Sequence, residues 1–356
     1  SDPEIVRLAR EDYVAVACDD WYQRRRRDAE GKFFIGVANQ GPRKGEGGGT
    51  RQGIYVLTAS GKLLAYKNAG QSPEVMLEML REGLAKWKRL PQSERVPGAL
   101  KVPAHGKVDT DYHRQPPPGG IIIKVHARAL DYEKSPPVEA TTGASRGRSL
   151  DLNDALFADA QCKIGGGDEA SRDHLWLTEP EWRSLIPEQP QPGARSSVPA
   201  NIAERILRFH LLDNTRGEPP MWRREEIRAR ELDLIVQSVT PAEIQLRLEG
   251  SALLATEADL ETASRGYQPR LLGFIKYDRK QRRLTQFDLV AVGDHWGGGP
   301  YTRNARPGRT PLGVAFELSS GESPADRIAP QGARELREYF GLDTSDPGES
   351  RRRGGQ

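Results

Sequence analysis

Two adjoining stretches, IRARELDLIVQSV at 227–239 and IQLRLEGSALLAT at 244–256, decide the reading of the larger part of the chain. Leu232, Leu234 and Val236 alternate in the first, and Ile244, Leu246 and Leu248 in the second. A period of two is the signature of a strand with one buried face. Thr240-Pro241-Ala242 supplies the turn between them. Strand-like runs follow at Tyr267 to Asp278, Arg283 to Val292 and Thr310 to Leu318, with turn residues from Asp278 to Arg282. Consecutive antiparallel strands of this length predict a strongly twisted, curled sheet or a partial barrel, because long flat sheets are disfavoured.

Upstream of this block, Ile121 to Leu130 is a further strand, and the Gly/Ser/Arg-rich stretch from Thr141 to Ser149 is a loop. Thr178-Glu179-Pro180-Glu181 fits the cap and first turn of a short helix running to Leu185. Pro199 to Leu212 reads as a helix passing into an extended segment. The stretch Asp343 to Gln356, which includes three consecutive arginines, reads as a disordered tail.

Composition bounds the function. With 53 basic and 50 acidic residues the net charge is only +3, so the chain lacks the charge excess of a nucleic-acid-binding protein. Aliphatic runs such as Ile121-Ile122-Ile123 are far too short for a transmembrane segment. Two cysteines, Cys18 and Cys162, exclude a disulfide-dense scaffold and an all-cysteine metal site. The glycines at 45–49 lack the Lys-Ser/Thr that a phosphate loop requires.

Residues 1–92 read as a small α/β unit. Asp2 and Pro3 open a helix to Arg10, and Tyr13 to Cys18 reads as a buried central strand. Trp21 to Phe34 reads as a helix with Arg24 to Arg27 as a solvated basic face and Trp21, Tyr22 and Phe33 turned inward. Ile54 to Tyr66 is a hairpin turning at Ala59-Ser60-Gly61-Lys62, and Ser72-Pro73-Glu74 opens an amphipathic helix carrying Val75, Met76, Met79, Leu80, Leu84 and Trp87. Pro91 to Gly120, with six prolines including Pro116-Pro117-Pro118, reads as an extended linker over 93–119, followed by a β-rich domain over 120–342.

The order helix, strand, helix, hairpin, helix resembles a thioredoxin-like domain from its first helix onward. Ser1-Asp2-Pro3-Glu4-Ile5-Val6, Tyr13-Val14-Ala15-Val16 and Gly53 to Lys62 carry that resemblance over about a quarter of the chain. It implies a thioredoxin-like fold, but the family's Cys-x-x-Cys pair is absent here, and Thr50-Arg51-Gln52-Gly53 stands where the family places its cis-proline. The β-rich half resembles an uncharacterised C-terminal module of large bacterial proteins, a likeness that implies no activity.

Candidate chemistry concentrates in Arg208 to Trp222 and Gly293 to Gly299. His210, Asp213, Arg216, Trp222, Asp294, His295 and Trp296 are the ligand-binding candidates, and His210, Asp213 and His295 are the residue types that bind a divalent metal or act as acid and base. The glycines around His295 either let a ligand approach the backbone or make a turn. The competing reading has Trp222 and Trp296 capping the barrel end while Asp213 and Arg216 close a loop. An Asp-His pair followed by Trp occurs twice, at Asp173-His174-Leu175-Trp176 and Asp294-His295-Trp296. Arg303, Arg306 and Arg309 are a further anion-binding or plain basic loop. Cys18 reads as a small buried hydrophobe and Cys162 as a loop thiol, the two redox candidates.

The chain is thus expected to be α+β: an incomplete thioredoxin-like unit joined to a larger antiparallel domain, part of an extracytoplasmic protein that binds a small molecule or a protein partner. The alternatives are a metal-dependent enzyme around His210, Asp213 and His295, and a thiol redox protein whose Cys-x-x-Cys lies upstream of Ser1. No particular cofactor is implied.

Overall fold

Asp2 starts the first element as its sequence requires. Its carboxylate accepts from the backbone N–H groups of Glu4 and Ile5 at 2.9 and 3.0 Å, and Pro3 fills the first position of α1 (Pro3–Glu11). The computed structural model describes residues 2–45, 49–68, 72–95, 107–131, 163–164, 170–302 and 305–342, and the chain divides into two units, Ser1–Gln115 and Pro116–Gln356. The loop at 141–149, Cys162, Arg303 and the tail at 343–356 lie outside the described residues.

The first unit continues with α2 (Asp20–Gln23), α3 (Ala29–Ala38), the hairpin β1 (Ile54–Leu57) and β2 (Leu63–Lys67), α4 (Pro73–Lys88) and α5 (Gln92–Arg95). Its core is Leu8, Val56, Leu64, Ala65, Met79 and Leu80, where α4 and α1 pack with the hairpin. A Cβ on Gly83 would stand 2.6 Å from Val56, so this glycine lets α4 lie close to β1. Trp87, at the end of α4, is 37% exposed rather than part of the inner face.

Several expectations for this unit are corrected. Tyr13 to Cys18 forms no strand, and Val14 and Val16 are 93% and 79% exposed. High β propensity makes a strand only where a neighbour supplies a hydrogen-bond ladder, and the two-stranded sheet of β1 and β2 does not reach this segment. Cys18 is accordingly exposed, not a core residue; desolvation and the carboxylates of Glu30, Asp19 and Asp20 hold its thiol above the ordinary range, which works against reactivity. The helix expected over Trp21 to Phe34 is broken in two. Asp28 caps α3 by accepting from Gly31 N at 3.0 Å and grips Arg26, so Arg26 is buried in an ion pair at 2.6 Å rather than solvated on a basic face. Phe33 is 45% exposed. Within the stretch expected to be an extended linker, Asp109 accepts from Arg27 N and donates its own N–H to Asp28, and Tyr112 packs on Trp21, because this segment offers partners to the capped turn.

The second unit is built on a nine-stranded antiparallel sheet: β3 (Ile121–Asp131), β4 (Lys163–Ile164), β5 (Ala170–Leu177), β6 (Arg195–Ser197), β7 (Ile227–Val239), β8 (Glu243–Ala255), β9 (Arg265–Asp278), β10 (Arg283–Gly297) and β11 (Thr310–Leu318). The order is β4-β3-β11-β10-β9-β8-β7-β6, with β5 also paired to β3. Among the described residues the sheet is open rather than closed into a barrel: β6 lies at one edge, and β4 and β5 at the other. One inward row runs Leu234, Leu248, Gly273, Leu289, Phe316 and Val125 in register across the strands, and its apolar side chains belong to the core. They form one core with α6 (Glu179–Ser184), α7 (Ala200–Arg205), the π-turn Ile206–His210 that widens the end of α7, and α8 (Leu336–Tyr339).

The expected turn at Gly293 to Pro300 is mostly strand. β10 runs on to Gly297, pairing His295 with Tyr267 of β9 and Thr310 of β11. A Cβ on Gly293 would lie 2.0 Å from Gln268 O, so that glycine is required by close strand packing rather than by a bend or a ligand.

Candidate functional site

The sequence-derived candidates do not assemble into one pocket. His210, on the buried π-turn, places Nε2 3.0 Å from Tyr339 Oη and Nδ1 3.2 Å from Asp173 Oδ2. Tyr339 Oη accepts from Trp176 N at 3.1 Å, so its own proton is available to His210 Nε2. Asp173 in turn accepts from Gln331 N at 3.1 Å. The group ties β5, the π-turn and the C-terminal turns together, and with His210 and Tyr339 3% and 1% exposed it is sealed from any substrate.

Asp213 belongs to a different cluster. It accepts from Thr215 N and Oγ1 at 3.2 and 2.6 Å, stands 3.9 Å from Arg216 Nε, and lies 4.0 Å from His295 Nδ1. His295 is buried beside Tyr267, whose hydroxyl donates to Leu312 O and Ala291 O. Burial pushes the His295 imidazole down to about 4, and the cations Arg265, Arg306 and Arg216 oppose the help from Asp213. A neutral, enclosed histidine suits a core position. Among the described residues no group of three or more His, Cys, Asp or Glu side chains is placed to hold a metal ion, so the expected set of His210, Asp213 and His295 is divided.

The two tryptophans are structural. Trp222 is fully buried, donates from Nε1 to Leu211 O at 2.8 Å, and lies under the Arg265 guanidinium at 3.9 Å. Trp296 donates to Ala263 O at 2.9 Å and occupies the space a side chain on Gly266 would need. Asp294 and His295 point to opposite sides of β10, whereas in the other Asp-His pair it is Asp173 that faces the core, so the repeated motif has no common geometry. Arg306 is engaged by the carbonyls of Leu130 and Pro311, and Arg309 stacks on Trp296 at 4.0 Å.

A surface the sequence did not single out carries a different arrangement. On the outer face of the sheet a groove of about 730 Å³ is lined by His126, Arg128, Leu130, Ala170, Arg172, Val290, Val292, Gly313 and Ala315, among others. Strand register explains it. One row across the sheet reads Arg172, His126, Ala315, Val290, and the next reads Ala170, Arg128, Gly313, Val292. Small side chains on β11 and β10 make a low apolar floor, and the long basic side chains of β3 and β5 make a wall; Leu130 leans over Gly313. Arg172 is exposed and Arg128 half-buried, and among the described residues neither has a hydrogen-bond or ion-pair partner. His126 stands between them in register, its imidazole lowered by desolvation and by Arg172 and Lys124, with Glu317 opposing. Nothing in the sequence flags these positions, because the groove's residues come from four strands, and three of those strands are remote in sequence from the densest polar cluster. No family model, curated protein or solved structure matches this chain.

Proposed function

We propose that this chain is a two-domain protein, a thioredoxin-like unit without dithiol chemistry followed by a β-rich unit, and that it acts by binding an anionic ligand in the groove on the outer face of the large sheet. The observation that carries this reading is the pair Arg128 and Arg172, two guanidinium groups on adjacent strands above an apolar floor with no carboxylate partner among the described residues. Guanidinium groups that are not consumed by internal pairing favour oxyanions, which they bind through paired hydrogen bonds. The thioredoxin-like part rests on the order of α1, α3, the β1–β2 hairpin and α4 alone, without the strand that the family places between its first two helices. Nothing in the placement of His210, Asp213 and His295 favours a metal-dependent enzyme.

Isothermal titration of the full chain with inorganic phosphate tests the reading. Weak binding that falls at least tenfold in Arg128→Ala/Arg172→Ala supports it. Absence of binding, or binding indifferent to the substitution, overturns it.

A further inference from the structure

We infer that the ligand is an amphiphile, a single oxyanion head on an apolar body about eight carbons long, lying across β3, β11 and β10. The inference rests on the anion-binding reading of the groove and specifies what that groove is shaped for. Arg172 and Arg128 are diagonal neighbours, because His126 is the residue directly opposite Arg172 and Ala170 the one opposite Arg128. Diagonal Cβ atoms on paired strands are about 7 Å apart, close enough for two guanidinium groups to converge on one head. They are too close to serve two separate anions without repulsion between the ligands.

From that wall the floor runs through Ala315 and Gly313 to Val290 and Val292. Two inter-strand spacings give it a length of about 10 Å, the reach of roughly eight extended carbons, and two residues along each strand give it a width of about 7 Å. Val290 is 39% exposed, so apolar surface is left open to water on this face. A purely polar anion would use the wall and leave the floor uncovered. The charge pattern closes the slot along one side: the next row carries Lys124, Glu317 and Asp288, where an extended anion would meet two carboxylates. The anion is therefore confined to the β3–β5 end and the apolar body to the β11–β10 floor.

The test is isothermal titration of the full chain with octyl phosphate and ethyl phosphate, in the unaltered protein, in Arg128→Ala/Arg172→Ala and in Ala315→Trp. Each methylene half-covered by the floor tightens binding about twofold, so octyl phosphate should bind on the order of fifty-fold tighter than ethyl phosphate. Ala315→Trp should abolish that advantage, and the double arginine variant should weaken both. Val290→Glu, at the most open part of the floor, is a second blocking variant should the Trp variant melt at lower temperature. Equal affinity for the two phosphates, with both still dependent on the arginines, overturns the amphiphile and leaves the anion groove standing. An octyl advantage unaffected by both blocking variants overturns the placement of the apolar body. Binding of neither compound overturns both readings.

Discussion

Replacing Arg205 by Met tests the account of what holds the second unit together. Arg205 is 1% exposed and directs its guanidinium into four acceptors: Glu181 Oε1 and Oε2 at 2.6 and 2.7 Å, Tyr339 O at 2.7 Å and Trp176 O at 3.1 Å. It thereby joins α7 to α6, β5 and α8. Met keeps much of the volume and all of the apolar contact but none of the donors. Glu181, itself 8% exposed, would keep Thr178 N, Thr178 Oγ1 and Asn201 Nδ2 at 2.8 to 3.0 Å and lose its counter-charge. Breaking a buried pair by removing one partner costs about 3–5 kcal/mol. The two orphaned carbonyls add about 1–3 kcal/mol each where water cannot reach them, so a loss of at least about 4 kcal/mol is expected.

The pH dependence supplies the sharper check. Burial alone would raise the Glu181 carboxyl, but Arg205 and the Thr178 donors hold it below its ordinary range. In the unaltered protein this group adds stability that is present above the ordinary carboxyl range and fades as pH falls through its lowered value. Without Arg205 the burial effect prevails, the carboxyl rises, and the sign reverses: the variant should be relatively better off in acid, with a penalty that shrinks below about pH 4.5. Urea unfolding at pH 7 and pH 4, followed by tryptophan fluorescence, measures both effects. Trp176, Trp182, Trp222 and Trp296 report on the second unit. Glu181→Gln in the Arg205→Met background should restore part of the loss at pH 7. A cost under about 1 kcal/mol, equal at both pH values, would mean that the pair is not the clamp described here.

Other consequences are as direct. His295 sits neutral with its imidazole pushed down to about 4, so protonation favours the unfolded chain, and stability should fall by up to about 3 kcal/mol as pH drops from about 6.5 to 4; urea midpoints in His295→Phe should lose that slope, and an unchanged slope refutes the assignment. Gly293→Ala should destabilise by about 2–3 kcal/mol through its collision with Gln268 O, read as a lower urea midpoint. Asp28→Ala removes the α3 cap, the Arg26 pair and the hold on Asp109, and should open 107–115 to limited proteolysis; unchanged cleavage counts against that docking. A fragment beginning at Pro116 should keep its β-sheet circular dichroism and any groove binding, since the two units have separate cores; a fragment that unfolds shows the units to be interdependent.

Local rules make much of this architecture legible in the order of residues. Alternation in Ile227–Val239 and the run Thr310–Leu318 match their strands, and Asp2-Pro3 and Ser72-Pro73 mark helix starts, because caps and period-two burial are encoded in neighbouring residues. Tyr13 to Cys18 shows where that logic stops. A run with strong β propensity has the same composition whether or not a partner strand exists, and pairing is a long-range event.

Chemistry was less legible than fold. The polar cluster around His210 and His295 drew attention by composition, yet the fold divides it between two separate buried groups, His210 with Tyr339 and Asp173, and Asp213 with Thr215 and His295. Arg128 and Arg172 look unremarkable in sequence, 44 residues apart, until antiparallel register sets their strands side by side. By itself the sequence determined the α+β class, the location of the long strands β3, β7, β8, β9, β10 and β11, and the low net charge, but neither the edge strands nor the extension of β10 to Gly297. Only the tertiary structure decided which charges are consumed by internal partners and which remain free to meet a ligand, because pairing depends on distances that the order of residues along the chain does not contain.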